Sequence, residues 1–154
     1  MKAAALGPDF AFRPMREPDL DAIMQSEAAA CDFPWEEEVF RECLRVGYNC
    51  WVADLGRLVV AHAVMSIGAD ECHVLNICVH PRWQGLGVGR RLLRRLLAQA
   101  RERGADTAFL EVRVSNQLAR RLYAAEGFCE IGTRRGYYPA RNGREDAVVL
   151  ALAL

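Results

Sequence analysis

Three glycines in the run Gln84-Gly85-Leu86-Gly87-Val88-Gly89 sit between an apolar strand-like stretch and an arginine-rich amphipathic one, a setting that suits phosphate binding. Residues 74–79 (Val-Leu-Asn-Ile-Cys-Val) read as a strand that Pro81 ends. Beyond the glycines, Leu92, Leu93, Leu96, Leu97 and Ala100 recur at helical spacing, largely opposite Arg90, Arg91, Arg94, Arg95 and Arg101. A glycine-rich turn that opens a helix aims backbone N–H groups and the positive end of the helix dipole at one place, which favours a phosphate or pyrophosphate. No Gly-Lys-Ser/Thr follows, which disfavours a nucleoside-triphosphate loop. Arg90 stands where the third glycine of G-x-G-x-x-G would be, and the loop lies mid-chain rather than in a first βα unit, which disfavours a dinucleotide fold. The plain alternative is a surface turn in which the glycines only break structure.

Glu111 interrupts the apolar run Ala108-Phe109-Leu110-Glu111-Val112, where a carboxylate is costly unless exposed, paired or used. On the residues alone, a catalytic carboxylate and an outward-facing partner of Arg113 are equal readings. Tyr123 lies in Arg121-Leu122-Tyr123-Ala124, and a helix aromatic in isolation reads first as packing. The six cysteines, Cys31, Cys43, Cys50, Cys72, Cys78 and Cys129, show no C-x-x-C or paired Cys/His spacing, which argues against a metal site. Cys78 precedes the glycine loop but lacks an adjacent base in sequence. His62, His73 and His80 receive no role.

The elements that must position these groups fit one domain over residues 1–154. Lysine plus arginine and aspartate plus glutamate are both 20, so net charge is zero and nothing global favours nucleic acid or a membrane surface. The 52% of apolar residues come in short amphipathic segments, and residues 1–8 lack an adequate apolar region for a signal peptide, so a cytoplasmic protein is expected. A monomer is favoured.

Periodicity and breakers predict strands over 10–13, 50–55, 58–67, 72–80, 107–113, 128–134 and 147–154. Helices are predicted over 18–30, opened by Pro18; 35–46, opened by Glu36, Glu37 and Glu38; 89–103, stopped by Gly104; and 117–126, capped by Ser115-Asn116. Residues 135–144 read as a polar loop too long for a tight hairpin. The order βααβββαβαββ defines an α/β class with a mixed sheet, helices on both faces, and parallel strands where helices cross over.

This order, with Q-x-x-G-x-G between the fourth strand and third helix, resembles the GNAT family of acyl-CoA N-acyltransferases over almost the whole chain. The resemblance implies acetyl-CoA as cosubstrate, with no metal. It places the pyrophosphate on the backbone of Gln84, Gly85, Leu86, Gly87, Val88, Gly89 and Arg90. It places the pantetheine on free backbone groups of Ile77, Cys78 and Val79, where the preceding strand splays from its neighbour. It further implies Glu111 as general base, directly or through water, Tyr123 as general acid toward the CoA sulfur, and Asn116 as both helix cap and cofactor contact. Partial burial would raise the Glu111 pKa toward the useful range.

Within the family, several segments resemble the branch that acetylates protein N-termini, the bacterial ribosomal-protein-alanine acetyltransferases among them. They are Phe33-Pro34-Trp35, Leu75-Asn76-Ile77, Leu110-Glu111-Val112-Arg113-Val114-Ser115-Asn116, Leu122-Tyr123 with Glu126-Gly127-Phe128, and Arg134-Arg135-Gly136-Tyr137-Tyr138-Pro139 with Asn142-Gly143-Arg144-Glu145-Asp146-Ala147. The implied partner is the N-terminus of a ribosomal protein or other protein, foremost the N-terminal alanine of small-subunit ribosomal protein eighteen. Trp35, Tyr137 and Tyr138 would wall the peptide entrance and Glu145 or Asp146 would meet a basic segment; equally, the tyrosines pack and the acids form a solvated turn. An α-amine with pKa near 8 loses its proton at pH 7 for roughly 1.3 kcal/mol, against nearly 5 for lysine, so one moderate base suffices. The rival readings are acetylation of a small-molecule amine and a non-catalytic acyl-CoA-binding module.

Overall fold

The structure, a computed structural model, describes residues 9–154, and the expectation about a leader at residues 1–8 lies outside them. Seven strands and four helices follow the predicted order. They are β1 (Ala11–Pro14), α1 (Leu20–Ala30), α2 (Glu37–Val46), β2 (Asn49–Leu55), β3 (Leu58–Gly68), β4 (Glu71–Val79), α3 (Val88–Glu102), β5 (Thr107–Arg113), α4 (Gln117–Ala125), β6 (Cys129–Ala140) and β7 (Gly143–Ala153). The strands hydrogen-bond in the order β1-β2-β3-β4-β5-β7-β6. No described helix is long and apolar enough to cross a membrane.

Two compact units divide the chain, Met1–Met65 with Asn76–Leu96 and Ser66–Leu75 with Leu97–Leu154. In the first, β1 pairs antiparallel with β2 and β2 with β3. Ile23 and Phe40 from the helices, Val52, Val60 and Met65 from the strands, and Leu92, Leu93 and Leu96 from α3 are fully buried there. The helical spacing of the α3 leucines thus becomes one buried stripe. On its arginine side, Arg91 lies over the Phe12 ring at 4.9 Å and Arg95 over Trp51 at 5.6 Å, so the cations cover aromatic faces. Gly47, at φ 84°, ends α2 in the left-handed conformation that a Cβ would oppose.

In the second unit β4 pairs parallel with β5, β5 pairs antiparallel with β7, and β7 with β6. Burial alternates along β5: Ala108, Leu110 and Val112 are buried, while Thr107, Phe109, Glu111 and Arg113 are half-buried. Glu111 therefore sits on the opposite face of the strand from its apolar neighbours, as the two-residue period requires. The apolar run on either side of it is not one continuous core face.

The predicted loop over 135–144 is corrected by the structure. β6 runs to Ala140, β7 starts at Gly143, and only Arg141 and Asn142 separate the paired ends. The polar, glycine-containing composition marks a bulge rather than a loop. Between the pairs Arg134↔Ala147 and Tyr138↔Glu145, residues 135–137 face Asp146 alone. Gly136 takes φ 58° there. Side chains replace the lost ladder bonds: Gly136 N donates to Asp146 Oδ1 at 2.8 Å, while Arg144 donates to the carbonyls of Gly136 at 2.8 Å and Tyr137 at 2.9 Å. A bulge held by partners from the facing strand has no signature in a scan for turn residues.

Candidate active site

The glycine loop follows a 3-10 turn at Pro81–Trp83 and leads into α3 at Val88. Gly85 and Gly87 take φ of 83° and 81°, a region side chains disfavour. Gly89 meets a different constraint, because a Cβ there would lie 3.3 Å from Val79 Cγ2. The first turn of α3 thus packs on the end of β4. Gln84 reinforces this join, its Nε2 donating to the Val79 carbonyl at 3.0 Å, so the glutamine side chain braces the loop and leaves the backbone as the anion-facing surface. Gly87→Val, forcing a β-branched residue into the left-handed region at about 1–2 kcal/mol, is expected to raise the KM for acetyl-CoA about 5–30-fold in steady-state kinetics. The KM for the amine should change far less.

Parallel pairing of β4 with β5 covers residues 71–74 against 107–110. Ile77, Cys78 and Val79 form the end of β4 that follows those paired residues. The Cys78 side chain is buried and its Sγ donates to the Ser26 carbonyl at 3.6 Å, which leaves only its backbone for a cofactor. Its thiol is pushed far up by hydrogen bonding with Cys31, by burial and by the nearby Glu27 charge. It is a neutral thiol at physiological pH, unsuited to nucleophilic attack.

Around Cys78 lies a buried polar cluster whose members are scattered along the chain. Glu27 of α1 accepts from His62 Nε2 of β3 at 2.9 Å, from Asn76 Nδ2 of β4 at 3.0 Å and from the backbone N–H of Trp35 at 3.0 Å. Glu27 and His62 are almost completely enclosed. Trp35 itself is half-buried against Phe40, with ring centroids 5.1 Å apart. The loop carrying Trp35 is thus anchored by one carboxylate.

In the second unit Glu111 meets partners from two other strands. Glu111 Oε1 lies 2.7 Å from His73 Nε2, and Arg134 Nε stands 3.9 Å from Oε2. Arg113 donates to Glu145 at 3.1 Å and to the Pro139 carbonyl at 2.7 Å, and its guanidinium covers the Tyr138 ring at 4.5 Å. Tyr138 is pushed up to about 12 by burial, by neighbouring Tyr137 and by the Glu111 charge. Tyr123 is buried, edge-on to Phe128 at 5.8 Å, and its phenol is raised by burial and then by Tyr138.

The remaining expectations resolve differently. Asn116 caps α4, its side chain accepting from Ala119 N at 3.1 Å. Glu145 accepts from Arg113 and, at 2.9 Å, from Ser115 N, while Asp146 holds the β6 bulge. Both acids are half-buried and hydrogen-bonded within the fold. Tyr137 is exposed, with Arg134 over its ring at 5.2 Å. His73, given no role from the sequence, is the hydrogen-bond partner of Glu111, and Arg134, quoted there without a role, is its charged neighbour. The alternation of β4 and β5 puts His73 and Glu111 at half-buried positions, but only the register, with His73 opposite Phe109, brings them together.

A strand order with one parallel step at β4–β5, a glycine loop opening α3 and a carboxylate on β5 describe an acyl-CoA-dependent transferase. Residues 20–128 match the model of the acetyltransferase (GNAT) family, and the chain belongs to that family. Over 137 residues it is 40% identical to the [ribosomal protein bS18]-alanine N-acetyltransferase of Escherichia coli strain K12, covering 88% of this chain and 92% of that one. The enzyme of the same description from Haemophilus influenzae is 43% identical over 137 residues, covering 88% and 93%. The crystal structure of the ribosomal-protein-S18-alanine N-acetyltransferase from Escherichia coli superposes with a TM-score of 0.88 at 36% identity, covering 94% of each chain.

Proposed function

We propose that this protein transfers the acetyl group of acetyl-CoA to the N-terminal alanine of ribosomal protein bS18. The observation that carries the reading is the 40% identity to the Escherichia coli enzyme across 88% of the chain, and the chemistry around Glu111 supports it. The amine attacks the thioester carbonyl, its N–H proton passes to the Glu111 carboxylate directly or through water, and the tetrahedral intermediate expels the CoA thiolate. Strand N–H groups near Cys78 or Val79 hold the oxyanion, and the loop from Gln84 to Arg90 holds the pyrophosphate.

Tyr123 is assigned to the sulfur. Because its phenol is held above the ordinary value near 10, full transfer of its proton to the thiolate is uphill. Donating a hydrogen bond to the developing thiolate requires no such transfer, and this is the role that suits a buried tyrosine. Tyr138 and Tyr137 line the peptide side, and Trp35 is held for the same purpose by Glu27. Glu145 and Asp146 hold Arg113, Ser115 and the β6 bulge in place.

Mass spectrometry of acetylation on three peptides tests the reading: the bS18 N-terminal sequence with free alanine, the same peptide Nα-blocked, and a free N-terminus of unrelated sequence. Rapid acetylation of the first and none at lysine in the second are expected. Equal rates on the blocked peptide, or small amines outrunning all three, would overturn it.

A further inference from the structure

We infer that His73 is a positioning residue for the Glu111 carboxylate, a role that rests on the acyl-transfer reading above. The two are 38 residues apart in sequence, yet the parallel register of β4 and β5 brings His73 Nε2 to 2.7 Å from Glu111 Oε1. That length is typical of a charge-assisted hydrogen bond. The glutamate side chain is only 9% exposed and the imidazole 35%, so His73 reaches solvent while its ring pins a carboxylate that barely does.

The pinning is one-sided. Arg134 Nε stands 3.9 Å from Oε2, beyond hydrogen-bond length, so the carboxylate is tied at Oε1 and directed through Oε2. The charged and titratable groups facing the pair are Arg134 and Tyr138 of β6; Arg113 of β5 is turned to Glu145 and the Tyr138 ring. A carboxylate acting as base must be held within about 0.5 Å of its productive place, and a fixed N–H donor on one oxygen does this. A neutral N–H donor at this position fixes the carboxylate without adding charge beside the base.

Steady-state kinetics on wild type, His73→Ala, His73→Gln and Glu111→Gln test the assignment. Glutamine keeps a neutral N–H donor. His73→Ala is expected to lower kcat about 10–100-fold with the KM for acetyl-CoA within about twofold, as for a misplaced catalytic group. His73→Gln should restore kcat to within about threefold of wild type. Wild-type kcat in His73→Ala, or a loss in His73→Gln as deep as in His73→Ala, would overturn the inference. An unchanged kcat in Glu111→Gln would instead remove the base on which it rests, while a collapse of Glu111→Gln beside unaffected His73 variants would remove the inference alone.

Discussion

Replacing Glu111 by glutamine is expected to lower kcat by about 10²–10⁴, the range that general-base catalysis contributes. Glutamine keeps the length and an acceptor oxygen for His73 but cannot take up the amine proton. The side chain sits on the half-buried face of β5, opposite Ala108, Leu110 and Val112, so the change leaves the apolar packing untouched. The KM for acetyl-CoA should stay within about twofold, since the residues assigned to the pyrophosphate lie in the loop before α3. The deficit should narrow as pH rises toward about 8, where the α-amine sheds its proton unaided and a base is needed less. Peptide acetylation followed by thiol release measures both quantities, and a kcat within threefold of wild type would remove Glu111 from the mechanism.

Loss of Glu27 should have the largest effect on stability. Its carboxylate accepts from His62, Asn76 and the Trp35 backbone, and the His62 and Glu27 side chains are 0% and 1% exposed. Glu27→Ala leaves all three donors unpaired in the interior, a change that costs about 3–5 kcal/mol when a buried ionic partner is removed. For a chain of this size that is a fall in Tm of about 6–20 °C. Glu27→Gln should lose about 1–3 kcal/mol: an amide oxygen still serves His62 and Asn76, but the amide NH₂ opposes the Trp35 N–H.

The pH dependence has a definite sign. Burial raises the Glu27 carboxyl, but the hydrogen bonds and charge of His62, with those of Trp35 and Asn76, outweigh it and hold the group below 4.5. A depressed carboxyl contributes stability that is present above its unfolded value and lost as pH falls through the folded one. The gap between wild type and Glu27→Ala should therefore be widest at neutral pH and shrink below about 4.5. Thermal melts across that range settle it; a variant melting within about 2 °C of wild type at neutral pH would show that the cluster contributes little.

The sequence by itself determined the order of the seven strands and four helices. β5 occupies Thr107–Arg113 as its apolar run predicts, and the leucines of α3 form the buried stripe their spacing requires. The glycines at 85 and 87 take the positive φ that a glycine-rich turn allows. These features are local: backbone freedom and a periodicity of two or 3.6 can be read within a dozen residues. The site was legible to the same depth. Glu111 stood out because it broke a local pattern.

Its partners did not, because tertiary structure alone decides them. His73 reaches Glu111 across 38 residues, and Glu27 meets His62 and Asn76 across 35 and 49, contacts fixed by strand register and helix packing rather than by neighbours in the chain. The same cause turned the polar stretch after Arg134 into a bulged hairpin, since its missing backbone bonds are supplied by Arg144 and Asp146 from the facing strand. A chain states where a charge lies along it. Which groups surround that charge depends on what folding brings beside it, because a buried polar atom must find a partner wherever register and packing place one.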